Sequence, residues 1–67
     1  MPMKASECLA DAFLHEARHD YASAAWSVIV AAWICDADSD EYIAKELRVK
    51  AIYLIDMAAQ CSQPLSM

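Results

Sequence analysis

The residues best suited to chemistry in this chain lie together: His15, Glu16 and His19 spell H-E-x-x-H within AFLHEARHDY. On a helix, residues four apart share a face. His15 and His19 are therefore spaced to ligate one zinc ion, with Glu16 placed to polarise a metal-bound water. A zinc hydrolase also needs a third protein ligand, an open coordination position and a cleft for a peptide. The chain has only 2 His, so the third ligand would have to come from Asp36, Asp38, Asp40, Glu41 or Cys35. The surrounding pattern puts His19 in a break between helices, where the two imidazoles no longer share one rigid face. Zinc hydrolysis on HEARH is kept as an alternative only, and the histidines are expected at the surface or in a turn.

No second catalytic arrangement competes. With Gly 0 in the composition there is neither a phosphate-cradling loop nor a G-x-S-x-G elbow. Cys8, Cys35 and Cys61 are odd in number, contain no C-x-x-C pair and fall on helix faces. That usage argues against a disulfide framework or a thiolate zinc knuckle and fits a reducing cytoplasm, where a thiol packs as a small hydrophobe. The expectation is a non-enzymatic protein with no catalytic residue, no cofactor and no metal.

The elements that position these residues are helices. A chain of 67 residues, 60% hydrophobic with 2 Pro, fits one small domain whose core is modest and whose helices meet through small side chains. Helix one is expected over about 5–18, with Ala5, Leu9, Ala12 and Phe13 in a stripe and Cys8 beside it. His19 and Asp20 break it. Asp20 is a good N-cap for the next helix, and His tolerates the left-handed backbone that a tight turn demands. Helix two covers about 21–35 and has two apolar faces: a small-residue strip of Tyr21, Ala25, Val28, Ala32 and Cys35, and a bulky one of Ala22, Trp26, Ile29 and Trp33. In the acidic run DADSDE, Asp38 or Ser39 is expected to cap helix three, with Glu41 completing a capping box. Helix three spans about 40–60, with Ile43, Leu47, Ala51, Leu54 and Ala58 facing the core and Tyr42, Val49 and Tyr53 in a second line. The tail over 62–67, with Pro64, is expected to fray. The reading is all-α, a helical hairpin plus a third helix in a single domain over 1–67.

The apolar faces outnumber what so short a chain can cover. Trp26 and Trp33 stand one heptad apart, a spacing found in cores and in protein interfaces alike, and large aromatics are enriched at the latter. Trp26, Ile29 and Trp33 are therefore expected to close a homodimer or a partner interface, and Tyr42, Val49 and Tyr53 to add contacts to a different protein. A formal net charge of −5 disfavours the phosphate backbone, so no direct nucleic-acid binding is expected. The apolar run from Tyr21 to Cys35 is too short for a bilayer, and MPMKASE shows no basic segment leading into an apolar one, so neither a membrane span nor a secretory signal is expected.

Residues 12–32, AFLHEARHDYASAAWSVIVAA, resemble the signature region of the ANR family, small helical bacterial negative regulators of AraC-type virulence activators. In that family an acidic end of helix one passes through a Gly-Asp-Tyr-like turn into Ala-Ala pairs, and an Asn-x-Glu-Trp-like segment starts a third helix. The matching positions are Asp20, Tyr21, Ala24, Ala25, Ala31 and Ala32, then Ser39, Glu41 and Tyr42, with His19 in place of the glycine. The resemblance implies a cytoplasmic repressor that binds an AraC-type transcription activator, hinders its dimerisation or DNA engagement, and lowers virulence gene expression. The alternative is another helical interaction protein, for example a phage-encoded inhibitor that mimics acidic nucleic acid.

Overall fold

A chain without glycine has to turn between helices with ordinary residues, and it does so twice in the same way. The computed structural model describes residues 4–62 and contains α1 (Ala5–Ala17), α2 (Tyr21–Ala37) and α3 (Glu41–Ser62), with no strand among the described residues. The fold is all-α, as its periodicity predicts. The fraying expected over 62–67 lies outside the described residues, except that Ser62 is the last residue of α3.

At the end of α1, His19 adopts φ 61°, and at the end of α2, Ser39 adopts φ 63°. Each turn is a Schellman motif, which satisfies carbonyls that a helix end leaves without a partner. The His19 N–H donates to the Glu16 carbonyl at 2.9 Å and the Asp20 N–H to the His15 carbonyl at 2.8 Å. The second turn repeats this, with Ser39 donating to Asp36 at 3.0 Å and Asp40 to Cys35 at 2.8 Å. The residue that closes one helix then opens the next. The Asp20 carbonyl accepts from the Ala24 N–H at 3.0 Å and its carboxylate from the Ser23 N–H at 3.4 Å. The Asp40 carbonyl accepts from Ala44 at 3.1 Å. This corrects the expected cap of helix three: Asp38 is the C-cap of α2 and Ser39 its left-handed residue, so the N-cap position falls to Asp40. At the start of α1, the Lys4 N–H is held by the Glu7 carboxylate at 3.1 Å.

α2 is the middle element. Its buried strip is Ala24, Ala25, Val28, Ala31, Ala32 and Cys35, and it receives Cys8 and Ala12 of α1 on one side and Ala44, Ala51 and Leu54 of α3 on the other. Alanine at these positions lets the helix axes come close, and that closeness excludes larger side chains from the seam. Leu54 and Val28 are the largest fully buried side chains. Leu9, Tyr21, Ile29 and Leu47 pack around the central cluster.

No Cα of α1 lies within 8 Å of a Cα of α3, and the molecule measures 47 × 21 × 15 Å, so the helices form a shallow layer rather than a closed bundle. Two expected core positions are overturned for this reason. Phe13 is 74% and Ile43 43% exposed, because each lies one step around its helix from the alanine seam, and neither meets a third helix that would cover it. Between α1 and α3 an open groove is lined by Leu9, Ala12, Phe13 and Val28, with Glu16 and Lys50 at its rim. Among the described residues, no helix is long and apolar enough to cross a membrane.

Candidate functional site

The H-E-x-x-H residues serve the turn. Because His19 has left the helix for the left-handed region, its ring does not share a helical face with His15 but lies edge-on to Tyr21, with centroids 5.8 Å apart. His15 Nδ1 is 3.7 Å from the Asp20 carboxylate, across the turn that Asp20 closes. Glu16 reaches forward instead, its carboxylate 3.5 Å from Lys50 Nζ on α3. The same ammonium lies 5.2 Å from the centroid of the Tyr53 ring, so Lys50 links α1 to an aromatic of α3. Among the described residues, no group of three or more His, Cys, Asp or Glu is placed to hold a metal ion.

The large exposed side chains lie elsewhere. Trp26 and Trp33 are 60% and 59% exposed on the side of α2 turned away from the alanine strip. They stack edge to face, with centroids 6.2 Å apart and planes at 77°. Trp26 also borders a shallow depression with Cys8, Asp11, Ser27 and Val30. Ile29, expected on the same face, is half-buried and leans on the core cluster, so it forms the floor between the tryptophans and α3 rather than part of the exposed rim.

Tyr42, Val49 and Tyr53 are 75%, 60% and 51% exposed on α3. Their spacings of seven and four residues put them in one line, about 16 Å long at 1.5 Å per residue. Asp56 and Gln60 prolong it, joined by a 3.1 Å hydrogen bond from the Gln60 amide to the Asp56 carboxylate.

Two residues of α3 absent from the sequence-based set belong with the tryptophans. Ile52 and Ile55 are 67% and 50% exposed. They follow Arg48 by four and seven residues, on the side of α3 whose guanidinium pairs with Asp36 of α2. Ile29 and Trp33 precede Asp36 by seven and three residues, on the matching side of α2. The Arg48 to Asp36 ion pair thus marks one end of a seam along which Trp33, Ile29, Ile52 and Ile55 continue as an apolar band. The isoleucines' spacing from Arg48 was visible in the sequence. Which way Arg48 faced was not.

The thiols are tuned by burial and by acids. Burial pushes Cys8 above its ordinary value, with Asp11 and Glu7 adding to the effect. Burial likewise raises Cys35, followed by Asp40, Asp38 and Asp36. Tyr21 is raised first by burial and then by Cys61, Tyr53 and Glu16. These shifts disfavour the thiolates of Cys8 and Cys35, so neither is a poised nucleophile. Comparison with known protein families, curated proteins and solved structures finds no match to this chain.

Proposed function

We propose that this chain is a non-enzymatic negative regulator that binds an AraC-type transcription activator, hinders its dimerisation or DNA engagement and so lowers virulence gene expression. The observation that carries a binding role is the line of Tyr42, Val49 and Tyr53 on the outer side of α3, where large side chains stand in solvent although the core beneath is built of alanine. Exposed aromatics at helical spacing fit a groove or helix of another protein. A net charge of −5 favours action on the activator over action on the promoter. The resemblance over residues 12–42 names the activator class, and the cytoplasm is where such a partner resides.

The test is size exclusion with light scattering on the chain mixed with an AraC-type activator from the same cell. A discrete co-eluting complex, weakened at least tenfold by Tyr42→Ala with Tyr53→Ala while helicity is unchanged, is the expected result. Separate elution of the two proteins at micromolar concentration refutes the reading.

A further inference from the structure

The outer side of α2, with Trp26 and Trp33 exposed and Ile29 and Val30 half-buried between them, reads nearly the same in both directions. About the midpoint between Ile29 and Val30, Ile29 mirrors Val30, Trp26 mirrors Trp33, and Ala22 mirrors Ala37. Two helices packed antiparallel around a twofold axis bring residue i of one against the residue at its mirrored position in the other. With the axis at that midpoint, tryptophan meets tryptophan, alanine meets alanine and Ile29 meets Val30, while at the edge of the face Asp36 falls opposite Ser23.

We propose that two copies of this chain pair antiparallel through α2, with the twofold axis between Ile29 and Val30 and each Trp26 packed against the partner's Trp33. Ala22 lies against the partner's Ala37, where the small side chains leave room for the indoles of the next turn. Ile52 and Ile55 of α3 flank the contact from the seam that Arg48 and Asp36 mark.

Charge supports a second copy as the occupant. The molecule carries a net charge of −5, which repels its own kind, yet Tyr21–Cys35 contains no charged residue, so this face lets two copies meet without apposed charges at the centre. At the ends, Asp38 and Asp40, in the turn after one α2, fall toward Arg18 and the α2 N-terminus of the other copy, an attractive arrangement for charges and helix dipoles, while Asp36 keeps its own Arg48. Asp20 is the acid on the unfavourable side of this balance, and Asp11 borders the face beside Trp26.

The area is of the right order. At about 250 Å² for a whole Trp and about 180 Å² for Ile, the exposures of Trp26, Trp33, Ile52 and Ile55 leave roughly 500 Å² of apolar surface per copy. A standard interface covers about 800 Å² per partner including its polar rim. This pairing uses a different face from the outer line of α3, and it stands or falls separately from the activator.

The experiment combines mass and register. Light scattering of the full chain is expected to give twice the 7.4 kDa mass of one copy at micromolar concentration. Val30→Glu, which sets two like charges beside the axis, and Trp33→Ala are each expected to weaken association at least tenfold with helicity retained. A monomer throughout the micromolar range overturns the proposal, as does a dimer that Val30→Glu leaves intact.

Register is read at exposed alanines, independently of the tryptophans, in a Cys61→Ser background. Ala22→Cys and Ala37→Cys chains mixed and oxidised are expected to form a covalent 22-to-37 dimer, whereas Ala22→Cys alone does not cross-link, its two copies being about 22 Å apart. Efficient 22-to-22 cross-linking, or none between 22 and 37 in a dimer, overturns the antiparallel pairing.

Discussion

Ser39 offers a clean way to test how this chain turns without glycine. An L-residue held at φ 63° gives up about 1–2 kcal/mol relative to right-handed backbone, whereas glycine adopts the same conformation without strain. Ser39→Gly removes that cost and returns about 0.4–1 kcal/mol of it through the larger freedom of the unfolded chain. The net expectation is a gain of about 0.5–1 kcal/mol, which for a domain of this size raises the melting temperature by about 3–6 °C. Both Schellman hydrogen bonds are made by backbone and survive the change. Ser39→Val, which forces a β-branched side chain into the left-handed region, is expected to lose more than about 1 kcal/mol. His19→Gly relieves the same strain at φ 61° but also loses the ring contact with Tyr21, so its gain should be smaller than that of Ser39→Gly. The assay is thermal unfolding followed by helical circular dichroism at several protein concentrations, because self-association by itself raises the melting temperature. If Ser39→Gly lowers the midpoint while Ser39→Val leaves it unchanged, the left-handed turn is not what joins α2 to α3.

Leu54, at 0% exposure, is the largest apolar side chain in a core otherwise made mostly of alanine. Leu54→Ala is expected to cost about 3 kcal/mol, against a total of about 3–10 kcal/mol for a chain of this length, and urea titration should show a protein close to unfolded without denaturant. Thiol labelling of the native protein with an aromatic disulfide should release one fast equivalent from exposed Cys61 and two slow ones from Cys8 and Cys35, whose rates follow opening of the fold; three equally fast thiols would contradict the burial. Alkaline pH should destabilise. Folding raises Cys8 and Cys35 above 9.0 and Tyr21 above 10.0, so the native state holds these protons more tightly. Their contribution is complete below those ordinary values and is lost as pH rises through the raised ones. Urea midpoints should therefore fall progressively above pH 9, and a flat profile up to the Tyr21 titration would show that the buried thiols do not couple to folding.

The helices and the first turn were legible because their signals are local: a 3.6-residue apolar period, an Asp after a break, and a histidine able to adopt positive φ. The second turn was misread by one or two positions for the same reason. DADSDE holds three aspartates and a serine, each able to cap a helix, and the choice of Asp40 over Asp38 or Ser39 is made by the left-handed backbone of Ser39, which composition does not mark. The repeat shows in the backbone: Arg18-His19-Asp20 and Asp38-Ser39-Asp40 share one hydrogen-bond geometry, and of their side chains only the closing Asp is common. Phe13 and Ile43 read as inward on hydrophobicity alone, yet both stand exposed. In this seam size decides. Ala44, 0% exposed, takes the place next to Ile43 because only a methyl group fits where α3 meets α2.

That inversion, with alanines inside and aromatics outside, ties the fold to its use. A layer of three helices with α1 and α3 apart can bury one face of α2, and the close approach of its neighbours reserves that face for small side chains. The bulky residues are left on the reverse of α2 and on the outer line of α3, which point away from each other's helices. One chain therefore presents two separate apolar surfaces: one mirrored about its own centre and free of charge from Tyr21 to Cys35, and one without that symmetry. Both can be occupied at once, so a dimer of this chain would carry two outward-facing α3 lines, one on each copy, and bind its partner at two points.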